Sequence, residues 1–370
     1  MQPGPSIPLA AAFRPHPSGW RTLAALLALA ASLCGPSAWA QASAAAAPIR
    51  LRIVGGLGSS NQFTRQEEPF WTRTLPALTG GKVQAEIVAF DRAGIRGQDM
   101  LRLLQQGVVP FGTALLSLSL TQDAIVAAPD LAGVNPDMAT LRRNVAAYRP
   151  VLANQLRERH GLELLAVYAY PAQVVFCKQA LASLADLAKR RVRVSSVTQA
   201  DLVEALGGTA VFVPFAEMLP QMRAGTLDCA ITGTMSGNTM GLHEVTTHLH
   251  PLAINWGVSL FVANRAAWAA LPADLRQLLN QQLPLLEQAI WADADRETGE
   301  GIACNTGAAT CINGQKGHMT LVKPTAADAQ RLRDLLAGTV LPRWVARCGA
   351  RCADAWNDTL APTVGVRATR

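Results

Sequence analysis

The sequence predicts an α/β protein of two lobes around a cleft, with a long helix packed along its body. Three observations predict it. A strand–helix–strand rhythm runs through two successive stretches, the pattern of layered, mostly parallel sheets. The chain has 370 residues, 50% hydrophobic and 16% charged, enough to bury a core in each of two lobes. A long apolar stripe at helical spacing then begins at Pro272.

Taken in order, Ile49, Leu51 and Ile53 alternate with Arg50, Arg52 and Val54, then meet Gly55-Gly56, a strand entering a tight turn. A helix is expected over 67–78, with Pro69 in its first turn and Gly80-Gly81 as its stop. Strand 83–89, helix 98–106 and the apolar run 109–118, read as a strand buried on both faces, complete the first group. The second group has strands at 162–168, 174–177, 192–195, 210–213, 227–231 and 258–262. Helices fall at 184–189, 202–206 and 215–223. Crossings near 165 and 257 divide the chain into a first lobe, 49–165 with 258–300 returning to it, and a second, 166–257. Leu275, Leu278, Leu279, Leu286 and Ile290 form the stripe of the long helix, which Pro284 should kink. A cysteine-bearing loop, a helix at 326–336 and an irregular tail follow, making 301–370 a C-terminal extension.

Residues 1–40 read as an export signal: Arg14 and Arg21 precede a short apolar stretch, and Ser37-Ala38-Trp39-Ala40 offers cleavage after Ala40. A seven-residue Ala/Ser linker follows, so the expected location is the periplasm, and no later run is apolar enough to span a bilayer. Losing Arg14 and Arg21 takes the formal charge from +7 to +5. The bases are scattered, without the stripe or motif of a nucleic-acid binder. Cys34 leaves with the signal. In an oxidising compartment Cys304 with Cys311, and Cys348 with Cys352, read as local disulfide staples rather than a metal site. Cys177 and Cys229 sit in apolar runs and read as buried thiols, with a bond between them left open.

Five segments then carry a family resemblance. Residues 184–194 (LADLAKRRVRV), 206–217 (LGGTAVFVPFAE) and 221–228 (QMRAGTLD) occur in the order and spacing of conserved-type segments of one family. Residues 102–107 (RLLQQG) and 262–272 (VANRAAWAALP) add to them. Together, over about 51–300, they resemble the periplasmic solute-binding proteins of TRAP transporters, of the dicarboxylate (DctP) type. The resemblance implies a two-lobe periplasmic binding protein fold with a hinge, a long C-terminal helix crossing the lobes and one ligand held in the cleft. It also implies that Arg193 grips the ligand carboxylate, a task that a planar, permanently charged guanidinium suits. Strand period alone places Arg191 and Arg193 on one face and leaves the choice between them open.

The departures shape the expected site. After Asp228 the chain reads Cys229, Ala230, Ile231, Thr232, Gly233, and a second family arginine is replaced around Ala172-Gln173. One anchor with Gln173, Thr232 and Asn238 suggests a monocarboxylate of hydroxyl, keto or aromatic character. Asn255 and Trp256 precede the return crossing, where family members place a ligand contact; Trp256 would stack on a ring or serve as interface core. The turn at Gly55-Gly56-Leu57-Gly58 would line the cleft with Ser59, Ser60 and Asn61 and is no phosphate cradle. His243, His248 and His250 read as a surface patch, and Glu217 as a local cap or ion pair.

The expected function is capture of a small organic acid, followed by hinge closure and delivery to the membrane permease subunits of a transporter, with no cofactor, no metal, no nucleic acid and no catalysis. Presenting ligand to a membrane sensor fits the same fold. A secreted α/β hydrolase is a third reading, opposed by the absence of GxSxG at Gly233-Thr234-Met235-Ser236-Gly237.

Overall fold

A computed structural model describes residues 47–369, so the expected signal, its cleavage point and Cys34 lie outside the described residues. The alternating run forms β1 (Ile49–Gly55), followed by β2 (Val83–Ala89), β3 (Phe111–Leu115) and β4 (Leu162–Tyr168). The chain then passes to a second sheet with β5 (Gln173–Cys177), β6 (Arg191–Val194), β7 (Thr209–Phe212), β8 (Cys229–Gly233) and β9 (His248–Asn255). Strand β10 (Ser259–Asn264) returns to the first sheet, and the short β11 (Thr320–Leu321) edges the second. The sheets have orders β2-β1-β3-β10-β4 and β11-β9-β5-β8-β6-β7.

These sheets are more mixed than the rhythm of the sequence suggests. Strand β1 runs parallel to β2 and β3, and β6 runs parallel to β7 and β8. The strand that follows each crossing runs against the rest of its sheet: β10 is antiparallel to β3 and β4, and β5 to β8 and β9. Each crossing, 169–172 and 256–258, is only a few residues long and carries the chain from one sheet to the other.

The helix Ala273–Thr306 binds both sheets together. Leu275, Leu279, Leu283, Leu286 and Ile290 bury one face against the first sheet, in a cluster with Trp71 and Phe261. Trp71 lies 5.3 Å from Phe261, centroid to centroid. Trp291 Nε1 donates to Val167 O at 2.7 Å. Further along, Thr234 Oγ1 donates to Glu297 O and Asn305 Nδ2 to Thr234 O, fixing the same helix to the segment that leaves β8 of the second sheet. The helix runs unbroken through Pro284 and extends to Thr306, so Cys304 sits in its last turn rather than in a loop.

Other differences have local causes. Helical turns begin at Gln62, ahead of Pro69, because Glu67 is buried and anchors them: it accepts from Gly56 N at 3.1 Å, Gln62 Nε2 at 2.7 Å and Thr113 Oγ1 at 2.9 Å. The apolar run 109–118 is strand only to Leu115, where a short helix takes over (Leu116–Ser119). A 23-residue helix, Met138–His160, fills a stretch where no element is marked in the sequence. The tail is helical, not irregular: Leu341–Cys348, Ala350–Thr359 and Ala361–Val364, with Trp344 and Trp356 buried. Cys304–Cys311 and Cys348–Cys352 are disulfides, and Cys177 is bonded to Cys229, so these two are not free thiols. No helix among the described residues is long and apolar enough to cross a membrane.

Candidate functional site

Between the sheets lies a cavity of about 710 Å³. Leu57, Phe90 and Leu118 line it from the first sheet's side; Arg193, Thr232 and Phe215 line it from the second. Arg193 is the third residue of β6, bounded by β7 and β8, and is only 4% exposed. Its Nε donates to Val213 O and its Nη1 to Ile231 O, both at 2.9 Å. Among the described residues no acidic side chain forms an ion pair with it. Burial pushes its pKa down to about 10, so it stays charged at neutral pH. A charged fork held by two neutral carbonyls beside an open cavity can receive an anionic group.

Arg191, two residues earlier, is occupied. Its Nη2 and Nε donate to the Asp228 carboxylate at 2.7 and 3.0 Å, and Nη2 also reaches Gly225 O. The pairing raises the Arg191 pKa and holds that of Asp228 below the usual range.

Gln173 lines the cavity beside Arg193. Its Oε1 accepts from Gln199 Nε2 at 2.7 Å and from Ser195 Oγ at 3.4 Å, which fixes the amide and leaves Nε2 without an acceptor among the described residues. Thr232 on β8 also lines the cavity. The other expected contacts are committed elsewhere. Asn238 donates to Gln315 O at 2.7 Å and accepts from Gln315 N at 2.8 Å, pinning the segment after the long helix. Asn61 donates to Glu297 at 2.8 Å. Trp256 is buried core, its Nε1 donating to Asn135 O at 2.9 Å. Asn255 sits behind Gln173, accepting from Gln199 Nε2 at 2.7 Å and donating to Asp130 at 3.2 Å.

The first turn contributes Leu57 to the lining, not the polar residues after it: Ser60 Oγ turns back to Leu57 O. Glu217, expected to cap or pair locally, lies on the cavity lining. His250 is not on the surface but fully buried on β9, 3.7 Å from Asp328; burial lowers its pKa.

Two features of the site carry no motif in the sequence. Tyr170, in the segment between β4 and β5, lines the cavity and accepts from Leu57 N at 3.3 Å. Asp130 is buried behind the return crossing, where it accepts from Trp256 N, Gly257 N and Val258 N at 2.8, 2.8 and 3.0 Å. Burial pushes its pKa up to about 6 against the lowering effect of these donors and of Asn255.

Two lobes, a cavity between their sheets and a buried, unpaired guanidinium in its wall define a solute-binding protein. The chain belongs to the DctP family, bacterial extracellular solute-binding protein family 7, whose sequence profile matches residues 57–335. The ectoine-binding periplasmic protein of Halomonas elongata is 25% identical over 126 residues, 34% of this chain and 37% of that protein. The match therefore spans little more than a third of this curated relative's length. An extracytoplasmic solute receptor of Bordetella pertussis that binds pyroglutamic acid superposes with a TM-score of 0.73 at 21% identity, over 84% of this chain and 98% of that one. A TRAP periplasmic solute-binding protein of Desulfovibrio salexigens with bound orotic acid gives 0.74 at 15% identity, over 85% and 98%. At these identities the two structures establish the fold.

Proposed function

We propose that this chain is the periplasmic solute-binding subunit of a TRAP-type transporter, capturing a small organic carboxylate in the interlobe cavity and delivering it to a membrane permease. The observation that carries the reading is Arg193: charged, 4% exposed, on the cavity lining, and bonded among the described residues only to backbone carbonyls. A bidentate carboxylate would supply the missing counter-charge. Gln173, with its free Nε2, and Thr232 are the neighbouring polar contacts. Ligands of the solved relatives, pyroglutamic and orotic acids, are small carboxylates, which supports the same class here.

Ligand contacts from both lobes shift the population toward a closed form, the form that docks on the permease. The short crossings 169–172 and 256–258 are the natural hinge. No step of this cycle requires catalysis or a cofactor.

A thermal-shift screen of residues 41–370 against diacids, 2-keto acids, hydroxy acids and aromatic acids tests the reading, since a ligand of the folded state raises Tm by mass action. We expect a hit that Arg193→Ala abolishes and Arg191→Ala retains. Equal loss in both variants, or no shift with any acid from protein freed of bound ligand by unfolding and refolding, would sink it.

A further inference from the structure

We infer that the ligand is a monocarboxylate with a bulky apolar body, aromatic or branched aliphatic, rather than a diacid or a small hydroxy acid. The inference rests on Arg193 as the carboxylate anchor. The hydrogen bond from Arg193 Nε to Val213 O sets that anchor one residue from Phe212 and two from Phe215, and both rings line the cavity. Leu57, Phe90 and Leu118 line it from the first lobe, so apolar side chains meet the ligand from both sides. Phe212, at the end of β7, is 59% exposed, an aromatic surface in water until something apolar covers it.

The charges on the lining point the same way. A diacid needs a second free base. The other arginine on the lining, Arg96, has a side chain 79% exposed and already donates to Asp99 at 2.8 Å. An exposed, shared charge gives little binding energy. Asp91 and Glu217 also line the cavity, and neither forms an ion pair among the described residues. A second carboxylate would be repelled by both. A cavity of about 710 Å³ leaves ample room beyond an acid of two to four carbons.

Isothermal titration of residues 41–370 would compare phenylacetate and 4-methylpentanoate with acetate, glycolate and succinate. Each buried methylene adds about fourfold in affinity, so we expect the apolar acids to bind at least ~10-fold more tightly. Phe212→Ser should weaken the apolar acids by about fivefold or more and acetate by much less; its exposure makes the substitution safe for folding. Phe215→Ser provides the second variant. Succinate or glycolate binding most tightly, with that binding lost in Arg193→Ala, would overturn the apolar body and keep the anchor. Apolar acids binding undiminished in both Phe variants would overturn it too. Binding indifferent to Arg193→Ala, or none of the five acids binding, would remove the anchor and the inference together.

Discussion

Arg193 donates through Nε to the carbonyl oxygen of Val213 at 2.9 Å, while no acidic side chain among the described residues pairs with it. The unliganded protein therefore keeps a buried cation whose pKa is pushed down to about 10 by burial alone. Unfolded and folded states are both protonated at pH 7, so the full cost of that burial is present there; it vanishes only above the unfolded pKa. The magnitude is about 3 kcal/mol. Arg193→Met removes the cost and also two hydrogen bonds from a charged donor, worth about 1.5–3 kcal/mol each. We expect the unliganded variant to lose less than about 3 kcal/mol relative to the wild type in urea denaturation, with ligand-induced stabilisation gone. A loss of 3 kcal/mol or more would mean that Arg193 is a structural bond, not a waiting site.

Gly257 ties the hinge to the site. Its φ is +76°, a conformation other L-residues adopt at a cost of about 1–2 kcal/mol. A Cβ there would lie 2.7 Å from Gln173 Nε2, the free amide donor on the cavity lining. Gly257→Ala should lower stability by about 1–2 kcal/mol and reduce affinity severalfold, because Gln173 must move. Calorimetric affinity equal to wild type would separate Gln173 from ligand binding.

Behind the same crossing, Asp130 supplies a pH dependence with a definite sign. Its folded pKa, raised by burial to about 6, stands above the ordinary 3.8. The native state thus holds this proton more tightly than the unfolded chain, and stability from Asp130 grows as pH falls from about 6 toward 4. Asp130→Asn has no such slope. Relative to that variant, the wild type should gain up to about 3 kcal/mol between pH 7 and pH 4, read from denaturation midpoints at each pH. A difference constant across the range would place the Asp130 pKa at its ordinary value.

Strands such as β1 were legible in the sequence because alternation ends at glycine, and the long helix because its leucines recur on one face. Strand β9 was not, since Pro251 interrupts its pattern; the structure accommodates it where the β5–β9 register shifts. The helix Met138–His160 is masked by Pro150 and by a polar majority around Leu141, Val145, Leu152 and Leu156. Periodicity could not separate Arg193 from Arg191. What separates them is Asp228, 37 residues from Arg191 in sequence, which takes Arg191 and leaves Arg193 bare. Asn238 and Asn61 show the converse: an amide in the right segment is no ligand contact once a distant backbone or carboxylate has claimed it. Nor can composition tell a cavity-lining Phe212 or Phe90 from core, because apolar side chains read alike until the space beside them is known.

The disulfide Cys177–Cys229 crosses the centre of the second sheet. The two cysteines are directly paired across antiparallel β5 and β8, the strands that present Gln173 and Thr232 to the cavity. With a sequence separation of 52, the bond restricts the unfolded chain by about 4 kcal/mol in the loop-entropy account. Both residues are fully buried, so the replacement should fit the same space. We expect Cys177→Ala with Cys229→Ala to cost about 2–4 kcal/mol in denaturant midpoint. Affinity should change little, because backbone pairing from Gln173↔Gly233 to Phe176↔Ala230 holds the register without the sulfurs. A large loss of affinity with intact folding would instead show that the bond sets the spacing of Gln173 and Thr232. A midpoint unchanged from wild type would mean that the thiols are not joined in the mature protein.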